Sequence, residues 1–257
     1  MTNPTLQALA ARKSVRVFTA DPVSAETKAA VLQAAFEAPT AGCQQFYTII
    51  DVTDPAQKAR LADLCDHQPF IATAPVVLVF LADCARWPAI YRAAGLTPRP
   101  AGVGDLLLAV ADSCIAAQNA VVAAESLGLG SCYIGDVLEN GEAMRAALAL
   151  PDTVVPACML VMGYPTQQQK DRRKPARLAP EMVVCENTYQ THTPAQWQAA
   201  LEDRAARGGQ VQYDFAASTA AFMRRKYASD FSREMTRSAA MYLESFARSL
   251  PAPAEKD

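Results

Sequence analysis

Four short segments of this 257-residue chain carry residue types that could do chemistry. The first is Arg12-Lys13-Ser14-Val15-Arg16-Val17-Phe18. In an extended backbone Arg12, Ser14 and Arg16 project from one face, and Val15 and Val17 from the other. Two guanidiniums flanking a hydroxyl suit a phosphate and a neighbouring acceptor. A solvated edge strand would carry the same residues. The second segment, residues 38–47, reads APTAGCQQFY. Its small residues let backbone approach a flat ligand closely, or simply connect a helix to a strand. The third, residues 127–136, reads LGLGSCYIGD. A GxGxxG fingerprint follows a strand and opens a helix, whereas these glycines follow a helix. A doubly wound dinucleotide fold is therefore excluded, and a turn with ligand-facing amides remains. The fourth, Arg172-Arg173-Lys174-Pro175-Ala176-Arg177, is the densest positive run. Each cation ~4 Å from a phosphate would gain roughly 4 kcal/mol at an effective dielectric near 20, before desolvation. Two or three such cations match a phosphomonoester, which carries a charge of about −2.

The rest of the chain bounds what these segments can serve. Lys and Arg number 24 against 26 Asp and Glu, a net charge of −2. Such a balance argues against nucleic acid or an anionic membrane as the main partner. Apolar residues make up 51% and charged residues 19%, a globular composition. The longest apolar run, residues 75–82, falls far short of the ~20 residues that cross a bilayer. The opening MTNPTLQALAARKSVRVF has no apolar signal core, so a cytoplasmic location is expected. Cysteines 43, 65, 84, 114, 132, 158 and 185 are scattered, with no CxxC, and His67 and His192 lie far apart. Buried reduced thiols are expected, not a metal or disulfide framework.

Helices and strands must hold the four segments in place. Leu6, Leu9 and Ala10 predict a short opening helix. Ser24 predicts an N-cap for a helix carrying Val31, Leu32, Ala35 and Phe36 and ending by Pro39. Residues 47–52 read as a strand. Asp54-Pro55 opens a helix with Leu61 and Leu64. Residues 75–81 read as a strand buried on both faces. Residues 84–103, with Pro88, Pro98 and Pro100, read as an irregular excursion. Residues 104–127 predict a helix apolar nearly all round and centrally buried, closed by Gly128. A short extended piece at 131–134, a helix at 142–150 and a buried strand at 157–162 follow. A polar loop is expected at 167–174, a strand at 181–185, helices from Pro194 onward, and a frayed tail, PAPAEKD. The fold class is α+β, with residues 1–190 as the main domain and 191–257 as a helical C-terminal extension packing on it.

Taken in order, these segments resemble the FMN-dependent nitroreductase family. The resemblance covers residues 6–186 and rests on RKSVRVF, EAPTAGCQQFYTI, DSCIAAQNAVVAAESLGLGSCYIGD and GYPTQQQKDRRKPARL. The later helices resemble the extension of the larger, often NADPH-preferring group. The resemblance implies a central, mostly antiparallel sheet flanked by helices, an obligate homodimer, FMN at the subunit interface, and NAD(P)H as co-substrate.

Carried over by position, Arg12 and Ser14 match residues that hold the FMN phosphate, with Lys13 contributing backbone contact. Arg16 matches the cation near the flavin N1/O2 edge. Lys174 and Arg177 match the late phosphate-binding pair. Pro39, Thr40, Ala41 and Gln45 match the loop that the partner subunit lays against the flavin. Gln68 matches a side chain reaching the isoalloxazine edge. Tyr133, Ile134, Gly135 and Asp136 match the segment beside the ring, whose amide can donate toward N5. Many relatives carry Asn where this chain has Cys43, a weaker donor, so Cys43 reads as a packed small hydrophobe or a redox-sensitive thiol. Arg204 and Arg207 could meet an NADPH 2′-phosphate. His67 reads as a surface or core histidine.

The resemblance implies hydride transfer from NAD(P)H through flavin to a small-molecule electron acceptor such as a nitroaromatic or quinone, with ping-pong kinetics. No side-chain acid or base is required, so no catalytic residue is assigned. Flavin, enoate or quinone reduction, dehalogenation, a non-enzymatic flavin-binding protein and a helical interaction module remain open.

Overall fold

A computed structural model describes residues 3–247. Its centre is a four-stranded antiparallel sheet in the order β1-β2-β4-β3. The strands are β1 (Tyr47–Asp51), β2 (Val76–Asp83), β3 (Gly130–Ile134) and β4 (Val154–Gly163). All eight residues of β2 are buried, as its unbroken apolar run requires of a strand covered on both faces. Side chains alternate across it. Val77 and Val79 join Leu61, Ile71, Met144, Met159 and Val161 in one cluster. Leu78 and Phe80 join Val31, Ala35, Ala116, Ala117, Ala120 and Leu160 in another. The expected antiparallel sheet flanked by helices is what forms.

The helices that build these layers begin where the sequence signals them. α1 (Pro4–Ala11) starts at Asn3, whose side chain accepts from Leu6 N. α2 (Ala25–Phe36) is capped by Ser24, which accepts from Thr27 N, and α3 (Pro55–Leu64) by Asp54, which accepts from Ala56 N and Gln57 N. α4 (Pro69–Thr73) leads into β2. α7 (Gly141–Leu148) follows β3. The long α6 (Val103–Ser126) ends at Gly128, whose φ of +79° suits a residue without a Cβ.

α6 departs from its expected burial. Ala109, Ala116, Ala117, Ala120 and Ala124 face the sheet, but Leu107, Leu108 and Ile115 are 65%, 50% and 41% exposed. It is apolar and long enough to cross a membrane by length and composition, yet one side lies in the core. Elsewhere, α5 (Arg86–Ala93) replaces the irregular excursion expected there. Pro88 sits in its first turn, where proline removes no internal hydrogen bond. α8 (Gln167–Asp171) occupies part of the expected polar loop. The expected strand at 181–185 is absent. A 3-10 turn, Pro180–Met182, is followed by Val183 and Val184, 68% and 69% exposed. β-branched residues make a strand only against a neighbour. The PAPAEKD tail lies outside the described residues.

Two compact units divide the chain: residues up to Arg172 together with those from Arg233 onward, and Arg173–Ser232. The last helix, α11 (Asp230–Ala247), returns to the first unit, where Tyr242 and Phe246 are buried with Phe46 and Leu106. The second unit holds α9 (Pro194–Arg207), capped reciprocally by Thr193 and Gln196, and α10 (Phe215–Phe222), capped by Asp214.

Candidate flavin site

The Arg12–Phe18 segment is extended and laid along the sheet. Val15 N donates to Ser131 O at 2.9 Å, and Thr19 N to Tyr164 O at 2.8 Å. Isolated bridges join Ser14 to Ser131 and Phe18 to Pro165. Val15 is buried against Gly130, where an added Cβ would come within 2.6–2.9 Å of the valine side chain. Val17 differs from expectation: it is 47% exposed, so only one of the two valines faces the core.

This docking puts the cations beside β3. The Arg12 guanidinium carbon is 5.7 Å from the centre of the Tyr133 ring, a cation–π distance. Arg12 Nε and Nη2 are buried with no hydrogen-bond partner. Buried donors of this kind demand an acceptor, and the guanidinium fork suits the oxygens of a phosphate or a carboxylate. Tyr133 donates its hydroxyl to Gln118 Oε1 on α6, and burial pushes its phenol pKa up, with Arg12 opposing. Lys13 Nζ donates to Lys170 O at 2.5 Å and also to Arg172 O, while Arg172 donates to Ser14 O. Arg16 N donates to Gln169 Oε1 at 3.4 Å, and the Arg16 guanidinium stands 5.8 Å from the Phe70 ring centre.

A second set of contacts continues from Phe70. Gln68 Nε2 donates to Cys65 O at 2.8 Å and to Asp136 Oδ2 at 3.0 Å. Asp136 opens the 3-10 turn Asp136–Leu138, directly after buried Ile134 and exposed Gly135. A Cβ on Gly135 would meet nothing within 4 Å. Arg12, Ser14, Arg16, Tyr133, Ile134, Asp136 and Gln68 are thus linked from neighbour to neighbour around the N-terminal segment and β3. His67 is a surface residue, 3.7 Å from Asp63.

The loop carrying Pro39, Thr40, Ala41 and Gln45 hangs from α6 instead. Asp112 Oδ1 accepts from Ala41 N at 2.9 Å, and Oδ2 from Phe46 N at 3.2 Å. Thr40 Oγ1 accepts from Gln45 N. Arg86 Nη1 donates to Gln45 O, and Trp87 Nε1 to Gln44 O, both at 2.7 Å. Gly42, Cys43 and Gln45 have φ values of 56°, 57° and 49°, the left-handed region that residues other than glycine resist. Cys43 is exposed, which overturns its reading as a packed hydrophobe. Within one chain the loop's partners are Asp112, Arg86 and Trp87, not the cations.

Lys174 and Arg177 belong to the Arg173–Ser232 unit. There Arg177 O accepts from Arg207 Nη2 at 3.0 Å, and Arg207 pairs with Asp203 at 2.6 Å. Arg204 lines a cavity of about 490 Å³ with Tyr213, Ser218 and Arg225. The sequence reading missed Asp112, Gln118, Gln169 and Glu139. Asp112 left one trace, an acid inside an otherwise apolar helix. Among the described residues no cluster of His, Cys, Asp and Glu could hold a metal ion.

The family model described as "Nitroreductase family" matches residues 9–164. An oxygen-insensitive NADPH nitroreductase of Salmonella typhimurium is 38% identical over 189 residues, 73% of this chain and 75% of the relative. An FMN reductase (NADPH) of Bacillus subtilis is 33% identical over 193 residues, 74% of this chain and 76% of the relative. Among solved structures, B. megaterium NfrA2 superposes with a TM-score of 0.80 at 26% identity, covering 96% of this chain and 98% of the other. The NADPH:FMN oxidoreductase of Vibrio harveyi complexed with NAD+ gives 0.70 at 28%, covering 83% and 94%.

Proposed function

Because the chain belongs to the nitroreductase family, we propose that it is an FMN-dependent oxidoreductase carrying hydride from NAD(P)H to a small-molecule acceptor. The observation that carries this reading is Arg12, whose Nε and Nη2 are buried without partners beside Ser14 and Tyr133. The donor set fits a flavin phosphate. Relatives named for FMN reduction and NADPH-flavin oxidoreduction support the cofactor and co-substrate. When bound, FMN supplies the two-electron chemistry that no side chain here provides.

In this reading Arg12, Lys13, Ser14, Lys174 and Arg177 would hold the phosphate. Arg16 would favour negative charge at the ring's N1/O2 edge. Gln68 and residues Tyr133, Ile134, Gly135 and Asp136 would line the ring, and Pro39, Thr40, Ala41 and Gln45 would cover it from a second copy of the chain. The exposed Leu107, Leu108 and Ile115 on α6 support the homodimer. They share the helix with Asp112, which holds the loop, and Gln118, which meets Tyr133. One helix thereby joins two half-sites that a two-fold axis would exchange. A single open face serving donor and acceptor in turn gives ping-pong kinetics. Nitroaromatics and quinones are the acceptors in this reading. Free flavin is the second, supported by relatives named flavin reductases. A cytoplasmic location agrees with seven free thiols.

The test is an anaerobic titration. The purified protein should be yellow, hold about one FMN per chain, and bleach with NADPH or NADH, and an oxidant panel should restore the colour. Colourless protein that takes up no added FMN would refute the reading. FMN that is held but not bleached by either nucleotide would leave a flavin-binding protein without reductase activity.

A further inference from the structure

We propose that Asp136, with the buried Glu139 behind it, orients the Gln68 carboxamide so that its oxygen is presented to the bound flavin. The proposal rests on the reading of Gln68 as a flavin-edge residue and adds what holds it there. A carboxamide nitrogen carries two hydrogens. In Gln68 they go to Cys65 O at 2.8 Å and Asp136 Oδ2 at 3.0 Å. Cys65 O is an obligate acceptor, so the flipped carboxamide would set oxygen against oxygen. With both hydrogens engaged, Gln68 Oε1 is the carboxamide atom left for a ligand. The site then accepts from a ring N–H and does not donate to a ring carbonyl.

Glu139 gives Asp136 its own support. The two close one tight turn, Glu139 N donating to Asp136 O at 2.9 Å. Glu139 is 4% exposed, and its Oε1 is buried without a partner. The charged groups acting on it are Asp136, Asp66 on the turn after α3 and Glu234 on α11, all acids. The Cys65 thiol nearby is buried, and its pKa is pushed up by that burial and then by Asp136 and Glu139. Arg237 on α11 is paired with Glu142 and Glu234. Burial first, then the Asp136 hydrogen bond and the acidic neighbours, raise the Glu139 carboxyl to about 8. A carboxyl raised in this way favours its protonated form, in which Glu139 would donate to Asp136 and leave it free to accept from Gln68. Ionisation of Glu139 sets a second buried negative charge against the first and withdraws that donor. Both residues are positioning residues.

The experiment measures FMN affinity and the visible flavin band of the full-length protein between about pH 6 and pH 10. Wild-type affinity should weaken about tenfold as pH rises through about 8, the order of one hydrogen bond to a charged group, with the band shifting in step. Glu139→Gln, which keeps a donor for Asp136 at every pH, should show neither step. Asp136→Ala, which removes one of the two acceptors that hold the Gln68 carboxamide and leaves Cys65 O alone, should bind FMN about tenfold more weakly at neutral pH. A flat wild-type profile, or a step that survives in Glu139→Gln, would overturn the proposal. If the wild type takes up no FMN at any pH, the flavin reading itself falls, and this inference with it.

Discussion

Arg12→Met should act in opposite directions on the empty and the loaded protein. Methionine keeps an apolar stem toward Ala8, Leu9, Val121 and Val122, which line the cleft beside Arg12 together with Gln118 and Glu125. It removes two buried donors that have no partner among the described residues. An unsatisfied buried donor costs about 1–3 kcal/mol. The contact with the Tyr133 ring that is lost is worth about 0.5–2 kcal/mol. Without flavin the variant should be as stable as the wild type or gain up to a few kcal/mol. With flavin, at least one charge-assisted bond of about 1.5–3 kcal/mol disappears, so FMN affinity should fall about tenfold to hundredfold. Thermal melts with and without saturating FMN, together with a fluorescence titration, read both effects. Saturating FMN should raise the melting temperature of the wild type much more than that of the variant. If Arg12→Met melts earlier by the same amount in both conditions and binds FMN as tightly as the wild type, then Arg12 is a structural arginine and the reasoning fails.

Three further predictions test the supports of the site. Gly130→Ala drives a Cβ into Val15 and should destabilise by about 1–3 kcal/mol in urea while weakening FMN retention. Gly104→Ala, with nothing within 4 Å in the first turn of α6, should stabilise by about 0.5–1 kcal/mol. Asp112→Asn leaves one of the Ala41 and Phe46 amides facing an NH2 group. Hydrogen exchange should show those amides losing protection while β2 keeps its own, at a cost of about 1–3 kcal/mol. Glu139→Gln has a second readout in the apoprotein. With the folded pKa raised to about 8 from 4.5, native wild type holds a proton that the unfolded chain has released. Wild-type stability should therefore fall as pH climbs between those values, and the fall is complete above the upper one. The variant's advantage in melting temperature should grow over the same interval. A constant difference would contradict it.

Much of this was legible from residue order, and the exceptions share physical causes. β2 could be read because eight consecutive apolar residues have one cheap solution, a strand covered on both faces. Ser24, Asp54 and Gly128 marked helix ends because each supplies what an end lacks, an oxygen for free amides or a left-handed turn. The outward side of α6 was hidden because Leu107 and Ile115 are as apolar as the residues beneath them. α5 was masked by Pro88, which a first helical turn tolerates. Val183 and Val184 signalled a strand but have no neighbour to pair with. In the site, the alternation of Arg12, Ser14 and Arg16 was readable, whereas Val17's exposure depends on where β4 ends. Asp112 left only its oddness in an apolar helix. Glu139 left nothing, since GDVLENGE looks like any wet turn, and the tie of its neighbour Asn140 N to Glu234 on α11 comes from about a hundred residues later.

The single carboxylate that grips the loop at Ala41 and Phe46 has a practical consequence. Its hold is on main-chain amides at the two ends, so the loop's shape owes little to the side chains at its tip. Residues 43–45 can then be varied while Asp112, Arg86 and Trp87 keep their grip on main-chain atoms of the loop.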